Sequence, residues 1–287
     1  MRIRSLLFAP GDSARKIEKA LGIGADGVIL DLEDSVAATA KDTARAQVGS
    51  LLPGLAGRGD IVVRVNPRGT PWYLADLAVV VPGRPDAVLL PKCTGVEDLA
   101  ALDHHLEVLE TASGQDVGRI KVLALVTETA ASLLAMPRAG NAGMRRVLAF
   151  CFGAEDLSSD LGIPPRLPDA SYPSAIAHAR AAMLVAAAAA GVAALDTPWP
   201  DHRDLVGLAA EAGIAASDGF AGKVAIHPDQ VGPINAAFTP DPAKIAWAER
   251  VRDGFAANPE AGVFALDGKM IDRPHLRLAE RILAARS

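Results

Sequence analysis

The stretch "VLAFCFGAEDLSSDLG", residues 147–162, opens as an apolar run and stops at two adjacent carboxylates, Glu155 and Asp156. The run is short and carries no polar residue, as a strand buried on both faces does. A glycine breaks it. An isolated charge is costly in a protein interior, so a carboxylate pair in this place is released to water, held by a cation, or used in chemistry. The rest of the chain decides between these.

Working outward, seven more runs of the same kind are found: "SLLF", "GVILDLED", "IVVRVN", "DAVLLPK", "KVLALVTE", "VAALDTP" and "GKVAIHP". Longer segments of helical period separate them, such as "DSARKIEKALGIG", "VEDLAALDHHLEVLETAS" and "SYPSAIAHARAAMLVAAAA". Strands alternating with helices predict parallel βαβ units, and eight such units predict a (β/α)8 TIM barrel. The 287 residues suit one barrel with an appendage. We place the barrel, a catalytic domain, at 1–238 and a C-terminal extension, with a helix, a short strand pair and a closing helix, at 239–287.

The runs end, on their C-terminal side, in groups able to do chemistry: Asp31, Glu33 and Asp34, then Arg64 and Asn66, Lys92, Glu128, Glu155 and Asp156, Asp196, and His227. In a barrel these ends gather on the face that carries active sites. An open doubly wound sheet would also gather ligand groups at its strand ends, so the two folds share this expectation.

Composition excludes several classes. The net charge is −5 with basic residues scattered, which offers no field for nucleic acid. The two cysteines, Cys93 and Cys151, sit in or beside apolar runs and read as small core residues of a reduced, cytoplasmic protein. The apolar start before Pro10 is too short for a leader or a spanning helix, and the alanine run after Arg180 reads as a packed soluble helix, so no membrane partner is expected. "GIGADG" matches a dinucleotide-binding pattern, but a helix precedes it and a strand follows, the reverse of what that site needs. It reads as a helix end.

The pieces "RSLLFAPG", "KIEKA", "DLEDSV", "VRVN", "LPK", "ETA", "GAEDLSSDLG", "DTP", "GKVAIHPDQ", "FTP" and "GKMIDRP" run in order across the chain. In these the sequence resembles the citrate lyase β-subunit-like branch of the HpcH/HpaI aldolase family, with its malyl-CoA and citramalyl-CoA lyases. The resemblance implies a TIM barrel, a Mg2+ site, an acyl-CoA substrate, a small 2-oxo acid (glyoxylate, pyruvate or oxaloacetate), and a homotrimer or hexamer. It implies Glu128 and Asp156 as ligands of magnesium and Arg64 as the holder of the oxo acid. Glu33 and Asp34 would hold the metal's waters, and Ala154 and Glu155 would offer backbone N–H groups to the substrate carboxylate. It points to Phe8, Lys19 and Arg15 for CoA, and to Asp272 as a general acid/base on a lid that reaches a neighbouring subunit.

The residues themselves are compatible with these roles and with plainer ones. Magnesium takes a few carboxylate oxygens and keeps waters that an oxo acid can displace. Glu128 and Asp156 could instead be helix-start carboxylates, and Arg64 an ion-pair partner of Asp31, Glu33 or Asp34. Arg15 and Lys19 could be a solvated helix face, Asp272 an N-cap before Pro274, and His227 a hydrogen-bonded structural histidine. For Lys92 an ion pair and a substrate contact stand equal.

The expected activity is magnesium-dependent cleavage or formation of the C–C bond of a 3-hydroxyacyl-CoA such as malyl-, citramalyl- or citryl-CoA. The alternatives are a citrate lyase β subunit acting on an acyl-carrier-protein thioester, a class II pyruvate aldolase without CoA, and a non-catalytic binding protein on the same barrel.

Overall fold

In the computed structural model, which describes residues 1–140 and 145–284, each of the eight apolar runs contains a strand. They are β1 Ser5–Pro10, β2 Gly27–Asp31, β3 Asp60–Arg64, β4 Ala87–Leu90, β5 Lys121–Leu125, β6 Val147–Cys151, β7 Ala193–Asp196 and β8 Gly222–Ala225. Neighbours pair in parallel in chain order, and β8 closes on β1 with Leu6 opposite Val224. The expected barrel is formed.

Helices run outside it: α1 Ala14–Leu21, α2 Lys41–Leu51, α3 Tyr73–Val80, α4 Val96–Ala112, α5 Ala130–Gly140, α6 Ala154–Leu161, α7 Ser174–Ala190, α8 Leu205–Asp218 and α9 Val231–Ala237. The end of α1 settles "GIGADG". The Gly22 N–H bonds back to Ala20 and Lys19, Gly24 takes φ +86°, and β2 starts at Gly27. A residue without Cβ is needed there to turn a helix end into a strand start.

The strands lack a polar alternation because both of their faces are covered. Leu6, Ile29, Val62, Leu89, Leu123, Ala149, Leu195 and Val224 fill the barrel interior. Leu7, Val28, Leu30, Val63, Leu90, Ala124 and Phe150 face the helices in a second, larger cluster. Truncating a side chain such as Leu123, which is fully buried, costs about 2–5 kcal/mol. The seam between β8 and β1 is tighter still. A Cβ on Gly222 would stand 1.7 Å from the Ile3 carbonyl oxygen, so only glycine lets the barrel close.

The two-residue period has a consequence for chemistry. It puts Asp31 in line with Ile29 and Arg64 in line with Val62, so both side chains point into the barrel at its C-terminal end.

After α9 the chain forms α10 Pro242–Ala257, an antiparallel hairpin of β9 Val263–Leu266 and β10 Lys269–Asp272, and α11 Arg273–Ala284. Asp267 and Gly268 take φ +52° and +74°, as a tight two-residue turn requires. Ala248, Val251, Phe255, Ile271 and Ala279 form a cluster of their own, distinct from both barrel clusters. Residues 285–287 of the extension lie outside the described residues.

Candidate active site

The site is built on the C-terminal ends of β2 to β6. Asp31, the last residue of β2, accepts from the backbone N–H groups of Glu33 and Ser35, which folds the "DLEDS" turn back over the barrel. Both of its oxygens also bind Arg64 at 2.7 Å, one at Nε and one at Nη2. Arg64 Nη1 lies 3.0 Å from Glu33 Oε2, and the Phe8 ring lies 4.5 Å from the guanidinium carbon. The fork is thus held by two carboxylates and a ring, while each terminal nitrogen keeps a second N–H to offer. Burial pushes the Asp31 carboxyl up, but the hydrogen bonds and charge of Arg64 outweigh it and hold it below the usual range.

At the end of β4 stands Lys92, whose φ of +48° is a left-handed conformation that lysine rarely adopts. That backbone turn lets one residue serve two carboxylates. Its N–H donates to Glu128 Oε2, and its Nζ donates to Glu33 Oε1 at 2.6 Å. The ammonium also stands 3.7 Å from Asp34 and 3.8 Å from Asp156. Burial works against its charge, and Glu33, Glu128 and Asp34 more than offset that, so it stays protonated. Glu33 is itself pushed up, first by burial, with Arg64 and Lys92 acting against.

Glu128, just beyond β5, is 2% exposed. Burial, then the negative charges of Glu33 and Asp156, push its carboxyl up to about 8 against the opposing pull of Lys92. It can lie there because its neighbour at the start of α6 is glycine: a Cβ on Gly153 would come 2.6 Å from Glu128 Cγ. Asp156 belongs to the first turn of α6, beside the same gap. A carboxyl raised in this way, with a second carboxylate close enough to raise it, has the donor chemistry of a hard divalent cation site. Among the described residues no group of three or more His, Cys, Asp or Glu side chains is arranged to hold a metal. A cation at Glu128 and Asp156 would therefore complete its shell with water or substrate.

Not every expected residue joins this cluster. Arg15 and Lys19 are exposed on α1, and among the described residues neither side chain has a hydrogen bond or ion pair. Phe8 packs on Arg64. The Ala154 N–H, read as free for a substrate carboxylate, already faces Thr197 Oγ1 at a long 3.4 Å. Glu155 is exposed, and its carboxyl is raised by partial burial and Asp156 against the charge of Arg166.

Asp196 corrects the list of strand-end groups. Leu195 points into the barrel, so Asp196 points out, where it pairs with Lys223 at 2.9 Å and Arg180 at 3.0 Å under α7 and α8. It is a structural ion cluster of the barrel wall. His227 accepts from the Asp229 N–H and shares a capping box with Gln230. Asp272 bonds His275, and no hydrogen bond or ion pair among the described residues ties it to Arg64, Glu128 or Asp156 of its own chain.

An eight-stranded barrel with a paired carboxylate gap and a clamped arginine at its C-terminal face is the frame of a barrel carbon–carbon lyase. The chain belongs to the HpcH/HpaI aldolase/citrate lyase family, whose model matches residues 4–228. It is 33% identical over 285 residues to the citrate lyase subunit beta of Haemophilus influenzae, covering 98% of this chain and 95% of that one. It is 35% identical over 290 residues to a (3S)-malyl-CoA thioesterase of Cereibacter sphaeroides, covering 98% and 93%. The crystal structure of protein CitE from Mycobacterium tuberculosis in complex with magnesium, acetoacetate and coenzyme A superposes with a TM-score of 0.76 at 34% identity, covering 98% of this chain and 97% of that one. Among the described residues no helix is long and apolar enough to cross a membrane.

Proposed function

We propose that the chain is a magnesium-dependent lyase that cleaves, or forms, the C–C bond of a 3-hydroxyacyl-CoA, exchanging it with an acyl-CoA and a 2-oxo acid. The observation that carries this reading is the pairing of a buried, up-shifted Glu128 with Asp156, beside an Arg64 fork that still has N–H groups to give. Glu128 and Asp156 would hold magnesium, which would supply Lewis-acid chemistry at the substrate's oxygens.

The chain's own residues do the rest. Arg64, kept in place by Asp31 and Glu33, donates to the oxygen that becomes the ketone of the oxo acid. The Glu155 N–H, in the first turn of α6 and on its positive end, receives the substrate carboxylate. In cleavage the hydroxyl gives its proton to water, the C–C electron pair passes to the carbon beside the thioester, and Asp272 gives that carbon a proton. In condensation Asp272 removes it. Phe8, Arg15 and Lys19 lie on the β1–α1 side, where the CoA end would approach. Residues 239–287 act as the lid, and Asp272 serves the barrel of a neighbouring subunit in a homotrimer or hexamer.

The 35% identity to a (3S)-malyl-CoA thioesterase favours a second reading, in which the same acyl-CoA is hydrolysed at its thioester. One assay separates them. Purified protein with magnesium and malyl-, citramalyl- and citryl-CoA should release an acyl-CoA and an oxo acid from at least one, and chelation should stop it. Free CoA with the hydroxy acid intact would favour the thioesterase, and no turnover of any would overturn the proposal.

A further inference from the structure

Asp272 does not stand alone. His275, three residues on, places Nδ1 2.5 Å from Asp272 Oδ1, and the Asp272 backbone N–H approaches the same nitrogen at 3.3 Å. The two contacts make different demands. The short one holds a single proton, on oxygen or on nitrogen. The longer one is satisfied only when Nδ1 is bare, which is the arrangement with the proton on the carboxyl. The geometry thus accommodates both positions of that proton without moving either side chain.

The pair also faces outward. Ile271 is buried in the extension's own cluster, so by strand alternation Met270 and Asp272 point away from it, and Met270 is 69% exposed. Leu278, one turn beyond His275, is 51% exposed. Nearby charges are engaged elsewhere: Arg250 pairs with Asp267, which also feels Lys269, and Arg273 turns to the Pro259 carbonyl and the Phe255 ring. Among the described residues the titratable group bonded to Asp272 is His275.

We infer that Asp272 and His275 are one proton-transfer unit, in which the imidazole carries the proton to and from the carboxyl between turnovers. This rests on the acid/base role proposed for Asp272. In cleavage the carboxylic acid gives its proton to the enolate carbon, forming the C–H bond. The neutral imidazole left beside the carboxylate then takes a proton from water, since the ring is half-exposed, and passes it from Nδ1 to the carboxylate. In condensation the carboxylate takes the C–H proton, hands it to bare Nδ1, and the imidazolium releases it to water. The hydrogen bond from His275 holds Asp272 below the usual carboxylate range in the resting protein.

Two variants test this. His275→Leu should lower kcat about 10-fold or more, with added imidazole restoring part of it, and should move the acidic limb of the condensation profile to higher pH. His275→Gln, which can still hydrogen-bond, should be as slow but keep its limb nearer wild type. A 13C titration of the Asp272 carboxyl in the resting protein should show the same upward move in His275→Leu, whatever the turnover. A His275→Leu enzyme with wild-type rate and limb would overturn the inference. An Asp272→Asn enzyme of wild-type activity would instead remove the acid/base reading beneath it.

Discussion

The backbone N–H of Lys92 donates to Glu128 Oε2, so a residue in left-handed conformation at the end of one strand aims a carboxyl at the end of the next. The same residue's ammonium bonds Glu33, which in turn contacts Arg64. The carboxylate gap and the arginine fork are therefore two ends of one chain of ion pairs. That chain explains how four carboxylates, Glu33, Asp34, Glu128 and Asp156, can sit around one gap with a lysine among them.

Lys92→Met should keep the backbone bond to Glu128 and lose the ammonium. The buried Glu33 carboxylate would then lose the hydrogen bond at Oε1, which costs about 1–3 kcal/mol. We expect a folded protein with a lower unfolding midpoint in urea and weaker saturation by the oxo acid, because Arg64 loses a fixed partner. An unchanged KM for the oxo acid would show that the chain of ion pairs does not extend to the fork.

The raised Glu128 carboxyl sets a pH dependence. The folded protein keeps this proton up to about pH 8, whereas the unfolded chain gives it up near 4.5. Between those values the folded state binds more protons, so stability should fall as pH rises through the window. Glu128→Gln should flatten that fall, and magnesium should offset it in the wild type but not in Glu128→Gln or Asp156→Asn. Calorimetric titration below pH 8 should show proton release on magnesium binding. No release, with unchanged metal affinity in both variants, would refute the ligand pair.

How much of this could be read from residues alone follows from which physical quantity each feature depends on. Burial on both faces produces unbroken apolar runs, so all eight strands and their carboxyl ends were legible. Direction needs the parity of the strand as well. Counting inward from Leu195 puts Asp196 outside, a signal present in "AALD" that strand-end position alone passes over. The sign of φ leaves no trace in residue type when the residue is lysine, so the double role of Lys92 was illegible. Glycine is the opposite case, since Gly153 before "AED" marks close approach but does not say to what.

Gly153→Ala tests that approach. The added methyl would fall 2.6 Å from Glu128 Cγ, and the carboxyl must give way. We expect the barrel to survive, because Gly153 has φ −112°, which alanine adopts freely. Magnesium affinity should drop at least 10-fold, measured by titration calorimetry. Wild-type affinity would mean that Glu128 has room to move or does not bind the metal.

Arg64→Lys should be as damaging as removal. Lysine can answer one carboxylate of the pair Asp31 and Glu33 but cannot form the planar fork that binds both Asp31 oxygens and still donates outward. Expected is a loss of about 100-fold or more in kcat/KM with magnesium binding retained. Saturation by the oxo acid at wild-type concentrations would exclude Arg64 from substrate binding.

Asp272 separates two accounts that fail differently. As an N-cap of α11 it would be worth typically ~1 kcal/mol, and asparagine caps as well as aspartate. As a general acid/base its loss typically costs about 100- to 10,000-fold in rate, and asparagine cannot replace it. Asp272→Asn should therefore fold, bind magnesium and barely turn over. Among the described residues of its own chain no bond runs from Asp272 to Glu128 or Asp156, and by strand alternation it points away from the extension's core. If it serves a neighbouring barrel, mixing Asp272→Asn with Glu128→Gln under subunit exchange should recover activity that neither parent has. Such mixed oligomers contain barrels with an intact carboxylate pair from one chain and an intact aspartate from the other. Wild-type activity of Asp272→Asn would leave the residue a cap, and an inactive variant never rescued by mixing would place it over its own barrel.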